Sequence, residues 1–302
     1  MCAGLGGDPE QSIPAAASLE LTHRTTLIFD DIQDKGYERN NQPTVWAIWG
    51  ADQAINAGLA LSSVARLAVH RLSLRNVPAG KVLGIASVLE NSVIDLCHGQ
   101  YMDISFVDSI TVSVKDYLRM VRGKTGALFA TSCVVGAMLA LPDREAVKAP
   151  PGIPEGKKFR YMSFDPVLGN AWEFGLNMGV AFQIHDDYLG IWGDEATVGK
   201  TANDLIEKKR SLPVVLVLEQ FPDDEVVPMA TMRNWLNSDF ISQSAASDCR
   251  VWMEEKGIPE QVKKIEASYL QKAGKNLKEL SLGEDWAGYF EEVLSFLSER
   301  KL

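Results

Sequence analysis

A chain of 302 residues, 46% hydrophobic and 23% charged, has the composition of an ordinary folded protein and the length to bury a substantial core, which excludes disorder as its default state. Its formal net charge of −10 and pI near 5.0 exclude a nucleic-acid partner, because such a partner selects for a basic stripe. Four scattered cysteines, Cys2, Cys97, Cys133 and Cys249, have neither the CxxC spacing of a zinc site nor the density of a disulfide framework, and are expected to be reduced thiols in a cytoplasmic protein.

Taken in chain order, helical periodicity dominates and strand signals are scarce, so an all-α fold is expected. The N-terminus lacks the basic stretch and apolar run of a signal peptide, and no export is expected. A first helix over residues 15–34 ends in Asp30-Asp31-Ile32-Gln33-Asp34, and helices over 53–74 and 83–103 follow. The next, over 114–141, contains an uncharged run from 125 to 142 that approaches the length of a membrane span. Its Thr, Ser, Cys and Gly content and its flanking charges suit a buried helix instead, and no membrane span is expected.

Prolines 142, 150, 151, 154 and 166, with Gly152, Gly156 and Lys157-Lys158, stop helix formation over about 142–166, which reads as a long surface loop able to serve as a lid. Helices over 171–192, carrying His185-Asp186-Asp187, and over 212–219 come next. Val262, Ile265, Tyr269, Ala273, Leu277 and Leu280 then mark an apolar stripe, with Lys263, Lys264, Glu266, Lys272 and Lys278 outside it. A single domain over 1–302 is expected, because the acidic clusters on either side of the proline-rich loop must meet to bind one ligand.

Each acidic cluster follows an apolar, helix-competent run. A helix brings residues i, i+1 and i+4 to one side, so Asp30, Asp31 and Asp34 can offer oxygens to a shared point, and Asp186 and Asp187 can do so from a facing helix. Carboxylates converging in apolar surroundings repel unless a cation joins them. Hard, oxygen-seeking Mg²⁺ suits the arrangement, since it takes one or two carboxylates per ion and completes its shell with water and phosphate oxygens. The pair therefore reads as a magnesium-diphosphate clamp. The histidines His23, His70, His98 and His185 have no metal spacing and are expected to be structural.

Several further motifs lie in the same order as in one known family. They are Gly6-Gly7-Asp8-Pro9-Glu10, the Leu27-to-Asp34 run, Arg39, Pro43-Thr44, Gly99-Gln100-Tyr101-Met102-Asp103, Lys124-Thr125-Gly126, Phe182-Gln183-Ile184-His185-Asp186-Asp187, Gly199-Lys200, and Asp204 through Ser211-Leu212-Pro213. On these the chain resembles the trans-isoprenyl diphosphate synthases, or polyprenyl synthetases. The resemblance implies an all-α, isoprenoid-synthase-type helical bundle around a deep central cavity, and a homodimer. It implies Mg²⁺ held by Asp30, Asp31, Asp34, Asp186 and Asp187, three ions with substrate bound. Arg39, Lys124, Thr125, Gln183, Lys200 and Lys209 would bind the diphosphate of an allylic prenyl substrate, Lys124 and Lys200 sharing in catalysis with the aspartates. Neutralising the leaving group lets the allylic C–O bond ionise. Aromatic rings such as Phe29, Tyr101, Phe129 or Phe182 would face the cation.

Departures from the family pattern gather at the second substrate, isopentenyl diphosphate. The family's Gly-Gly-Lys-Arg segment has no counterpart, and Asn40 follows Arg39 where the family has a second arginine; His23 alone has a counterpart among that site's residues. A charge-assisted hydrogen bond is worth about 1.5–3 kcal/mol, so elongation would be impaired unless cations such as Lys157, Lys158 or Arg160 substitute. Gly190 stands where a third Asp is common, Phe29 replaces a usual His, and Leu59 replaces a usual Asp. Small Thr25 and Thr26 before the first cluster imply a product of C20 or longer.

Two enzymatic readings follow. One is a prenyltransferase elongating an allylic diphosphate with isopentenyl diphosphate, of polyprenyl or geranylgeranyl type. The other is a class I terpene synthase, or a transferase to a different acceptor, favoured by Asn40; the terpene-synthase Asn/Ser/Glu motif is absent, although Asn203-Asp204 resembles its start. A non-catalytic regulatory subunit ranks last, because such subunits lose their acidic motifs.

Overall fold

The computed structural model describes residues 1–107, 109, 111–142, 165–193, 204–207, 209–221 and 242–299. These residues are almost entirely helical, so the all-α expectation holds. By its contacts the chain divides into two compact units, Met1–Val93 with Thr131–Gly169, and Ile94–Ala130 with Asn170–Leu302. Most of the proline-rich loop, residues 143–164, lies outside the described residues, as do Lys157, Lys158, Arg160 and Lys200.

In the first unit, α1 (Pro9–Gln33) begins where the Asp8 side chain accepts the Glu10 N–H at 3.0 Å and Pro9 presets the first turn. It starts earlier than the apolar periodicity alone indicates, and it ends at Asp34, beyond which Lys35 has a left-handed φ of 54°. After the short α2 (Val45–Trp49), α3 (Ala51–His70) packs against α1, with the Phe29 ring lying over Gly58. Next comes α4 (Ala79–Phe106). The core includes Ala15, Ala54, Ala65, Val69, Leu72 and Ile85. The Lys81 ammonium donates to the Leu141 carbonyl at 2.7 Å, satisfying one of the carbonyls that a helix C-terminus leaves open.

Between α1 and α2 lies an element that periodicity does not reveal. β1 (Glu38–Arg39) pairs antiparallel with β2 (Gln42–Pro43), Arg39 opposite Gln42. The two linking residues, Asn40 and Asn41, have φ of 52° and 58°, the left-handed values that a type I′ turn requires at both central positions and that asparagine tolerates.

In the second unit, α5 (Val114–Val121) starts at Ser113, whose hydroxyl accepts the Asp116 N–H at 3.1 Å. The single helix expected over 114–141 is interrupted: a π turn, Arg122–Gly126, separates α5 from α6 (Ala127–Ala140), whose residues from Thr131 on belong to the first unit. Gly99 of α4 lies so close that a Cβ there would collide with the backbone of Lys124, and Gly123 approaches the Asp95 carbonyl in the same way. The stretch Val114–Ala140 is long and apolar enough to cross a membrane by length and composition, and 56% of its most apolar window is buried within the fold, as in a core helix.

The remaining described helices are α7 (Pro166–Trp192), α8 (Leu212–Gln220), α9 (Gln243–Glu255), α10 (Ile258–Glu279) and α11 (Glu284–Glu299). Tyr117, Val121, Ile184, Leu212, Val215, Met253 and Val262 belong to one core cluster. The stripe expected on α10 is buried at Val262, Tyr269, Ala273 and Leu277, with Leu280 buried just beyond the helix. Glu266, expected outside that stripe, is buried instead, because it pairs with His185 Nδ1 at 2.9 Å. All four cysteines are free.

The contact at Gly99 generates a direct test. Gly99→Ala forces α4 off the π turn and is expected to destabilise the protein by about 1–3 kcal/mol or more, the usual cost of overpacking, read as a lowered midpoint in urea unfolding.

Candidate functional site

The first acidic cluster occupies the end of α1. Asp31 Oδ1 accepts from Arg39 Nε at 2.9 Å and lies 2.8 Å from Nη2, which also reaches Asp30 Oδ2 at 3.3 Å. Burial alone would lower the Arg39 pKa, but its bonds to Asp31 and Asp30 outweigh that and raise it. Asp31 is buried, Asp30 half-buried, and Asp34 exposed at the helix end, where its N–H bonds to the Asp30 carbonyl at 2.8 Å. Arg39 reaches this point because its segment is tied back onto itself. Thr44 Oγ1 and Trp46 Nε1 donate to the Gly36 carbonyl at 2.8 and 2.7 Å, and the Tyr37 and Trp46 rings stack at 4.7 Å.

Other expected residues of this unit are placed as follows. Asn40 is exposed at the tip of the hairpin. His23 is exposed, 4.0 Å from Glu20, and partial burial lowers its pKa. Thr25 and Thr26 turn their hydroxyls onto the carbonyls of Leu21 and His23, at 2.9 and 2.8 Å.

In the second unit, α7 presents Asp186 and Asp187 differently. Asp186 is exposed; Asp187 is buried and fully engaged. Its Oδ1 accepts from Gln183 Nε2 at 2.9 Å, and its Oδ2 accepts from Tyr117 Oη at 2.5 Å and from the Leu212 backbone N–H at 2.8 Å. Gln183 Oε1 in turn accepts from Thr125 Oγ1 at 2.8 Å, so the network runs into the π turn. One residue before Thr125, the Lys124 ammonium lies 2.5 Å from Asp103 Oδ2. The Phe129 and Phe182 rings pack at 5.4 Å, whereas Tyr101, expected in an aromatic wall, is 70% exposed.

Tyr117 was missed by sequence reasoning, and Asp103 and Asp204 were named there only within longer motifs, with no role assigned. A Cβ on Gly190 would fall inside the Asp204 carboxylate, so the side chain absent from position 190 leaves room for a carboxylate from position 204. Lys209 lies 3.7 Å from Asp204 and 3.0 Å from Glu207. Burial pushes Asp187 up to about 7 and Asp204 up to about 6; at Asp187 the neighbouring Asp204 charge adds to the rise, which its hydrogen bonds oppose, and at Asp204 the Lys209 charge opposes it. Burial and Asp187 likewise raise the Tyr117 phenol well above its ordinary value.

These groups fit a hard divalent cation. The donors are carboxylate oxygens, and two of them are buried with their charge disfavoured, a condition that a nearby cation reverses. Among the described residues no three ligating side chains are grouped closely enough to hold a metal ion by themselves.

Residues 1–246 match the polyprenyl synthetase family. The geranylgeranyl diphosphate synthase of Mycobacterium tuberculosis is 36% identical over 217 residues, which cover 72% of this chain and 55% of that protein. The geranylgeranyl diphosphate synthase of Saccharolobus solfataricus is 33% identical over 222 residues, covering 73% of this chain and 60% of that one. The chain thus spans little more than half the length of the curated relatives it matches. Among solved structures, a geranylgeranyl pyrophosphate synthetase from Pyrococcus horikoshii superposes with a TM-score of 0.81 at 29% identity, over 97% of this chain and 81% of that one. A polyprenyl synthetase from Streptomyces coelicolor gives 0.82 at 27% identity, over 98% and 81%.

The raised carboxylate pKa values predict a pH dependence. Asp187 and Asp204 bind protons more tightly folded than unfolded, so their contribution is fully present below about pH 4 and is lost as pH rises through about 6 to 7. Thermal unfolding in a metal chelator should show the melting temperature falling from pH 5 to pH 8, with a shallower fall in Asp187→Asn.

Proposed function

The chain belongs to the polyprenyl synthetase family, and we propose that it ionises an allylic prenyl diphosphate with Mg²⁺ and transfers the prenyl group to isopentenyl diphosphate, in a cytoplasmic homodimer. In this reading the two units work as one catalytic domain. The observation that carries it is the buried, triply bonded Asp187 beside exposed Asp186, joined through Gln183 and Thr125 to the turn that bears Lys124. A carboxylate is buried at such cost where its position matters.

Asp30, Asp31, Asp34, Asp186 and Asp187 hold Mg²⁺, three ions with substrate bound, and Asp204 adds a carboxylate beside Asp187. Bound there, Mg²⁺ would neutralise the leaving diphosphate. Arg39 keeps Asp30 and Asp31 together and offers its guanidinium to the diphosphate, for which its planar fork is suited. Lys124 and Thr125 bind the same group, and Gln183 fixes Thr125 and Asp187 together. Lys200 and Lys209 complete the set of diphosphate ligands. Phe129 and Phe182 supply an apolar, π-rich wall that keeps water from the cation. Thr25 and Thr26, their hydroxyls spent on the backbone, add a small and apolar surface that suits a product of C20 or longer. The dimer draws support from Ile55, Leu59 and Leu67, large apolar side chains exposed along one face of α3.

A second reading rests on Asn40. Without an arginine there, the prenyl cation would cyclise, lose a proton or meet another acceptor.

Product analysis by mass spectrometry separates the two. Geranyl, farnesyl and geranylgeranyl diphosphates, each with Mg²⁺, are expected to yield elongated diphosphates only when isopentenyl diphosphate is added. Products formed without it would establish the second reading. Asp30→Ala and Asp186→Ala are expected to lower turnover at least about 10²-fold, the scale on which removal of an electrostatic stabiliser is felt. Asn40→Arg is expected to lower KM for isopentenyl diphosphate about tenfold, the worth of one charge-assisted bond. It should also cost about 1–2 kcal/mol of stability, because arginine is strained at a left-handed φ. An unchanged KM would mean that other cations serve that substrate.

A further inference from the structure

A cavity of about 330 Å³ in the second unit shares no lining residue with the site described above. Arg122 of the π turn, Glu173 and Asn177 of α7, and Tyr269, Lys272, Lys275 and Asn276 of α10 form its walls. Three cations therefore face one carboxylate, in a chain whose net charge is −10. Among the described residues no carboxylate lies within ion-pairing distance of Arg122, Lys272 or Lys275. The Lys272 ammonium sits 4.3 Å over the Tyr269 ring, and the Arg122 charge lowers the phenol's pKa against the larger, raising effect of burial, which sets guanidinium and phenol near one another.

The wall is ordered. Asn177, 5% exposed, donates to Asn276 Oδ1 at 3.3 Å, and Asn276 donates to Asn170 Oδ1 at 3.1 Å. Lys278 extends the positive surface along an adjoining cleft of α10 that Lys272 and Lys275 also line.

Like charges gathered around a concavity repel one another, and an anion relieves that repulsion. An arginine fork with mobile ammonium groups matches phosphate oxygens. The volume lies at the lower end for small-molecule pockets, and the lining of cations and amides offers no room for a long hydrocarbon chain. With a net lining charge near +2, a monoanion would leave charge uncompensated. From this we propose that the second unit carries a separate binding site for a compact, multiply charged phosphoanion, typified by inorganic diphosphate, with Arg122, Lys272 and Lys275 as its principal ligands.

Isothermal titration calorimetry on the full chain, in a metal chelator, tests it with three probes: inorganic phosphate, inorganic diphosphate and farnesyl diphosphate. Saturable binding of inorganic diphosphate is expected, with phosphate weaker. Loss of farnesyl diphosphate binding no greater than that of diphosphate in Lys272→Gln combined with Lys275→Gln would identify the free anion as the ligand, and tighter farnesyl diphosphate binding that this double variant abolishes would overturn the compact-anion assignment. Each of Arg122→Gln, Lys272→Gln and Lys275→Gln should weaken diphosphate about tenfold, while Lys272→Arg retains it. Circular dichroism melts confirm that the variants fold. Absent binding, or binding indifferent to Lys272→Gln combined with Lys275→Gln, overturns the proposal.

Discussion

Burial of the Asp187 carboxylate organises the second unit. An ionised group taken out of water costs several kcal/mol unless its oxygens are met by donors, and those of Asp187 are met from three elements: Tyr117 of α5, Gln183 of α7 and the first backbone N–H of α8 at Leu212. The Leu212 N–H is one of the donors that a helix start leaves unsatisfied, at the positive end of its dipole, so one bond answers two needs. Because Gln183 gives its amide N–H to Asp187, its carbonyl oxygen is left to receive Thr125, and this holds the π turn. Lys124 is carried along by the same turn and pairs with Asp103. Its position is thus a distant consequence of how a neighbouring carboxylate is kept in the core.

The first unit meets the same electrostatic problem with a charge in place of neutral donors. Asp30 and Asp31 are adjacent on α1, and Arg39 bridges them. Holding the guanidinium there requires the chain to turn back after α1, and the Gly36 carbonyl, gripped by Thr44 and Trp46, provides the anchor. The difference has chemical consequences. Neutral donors from three elements hold Asp187 in the core, whereas the charged partner Arg39 stays half-exposed, where its guanidinium keeps part of its hydration.

Much of this was legible in the sequence, for identifiable reasons. Helix-forming runs repeat every three or four residues, so α1, α3, α4, α7 and α10 could be read within several positions, and each acidic cluster lies at or near the end of a helix, α1 or α7. The π turn was not legible: Ala127, Ala130, Val134, Val135, Ala137 and Met138 are all buried, and a helix apolar all round has no phase for one inserted residue to shift. The hairpin escaped because Asn40-Asn41 lacks the glycine that usually signals a type I′ turn. Glu266 was misplaced because a single helix pattern does not register a partner, His185, eighty-one positions away. Tyr117 left no local mark, and Asp204 was legible only within a longer motif, without any sign that it would lie against Gly190.

Two of the departures from the family pattern thus have opposite structural meanings. At Gly190 a carboxylate is absent from the sequence motif, and the space that a side chain there would enter holds the carboxylate of Asp204, which supplies negative charge beside Asp187. An aspartate restored at position 190 would meet that charge head-on. At Asn40 no such exchange occurs among the described residues: the hairpin selects a residue comfortable at a φ of 52°, the position points outward, and the adjacent Arg39 is already bound to Asp30 and Asp31. Negative charge is thus gathered on Asp187 and Asp204, while the hairpin carries one cation, Arg39, which is already bound to Asp30 and Asp31.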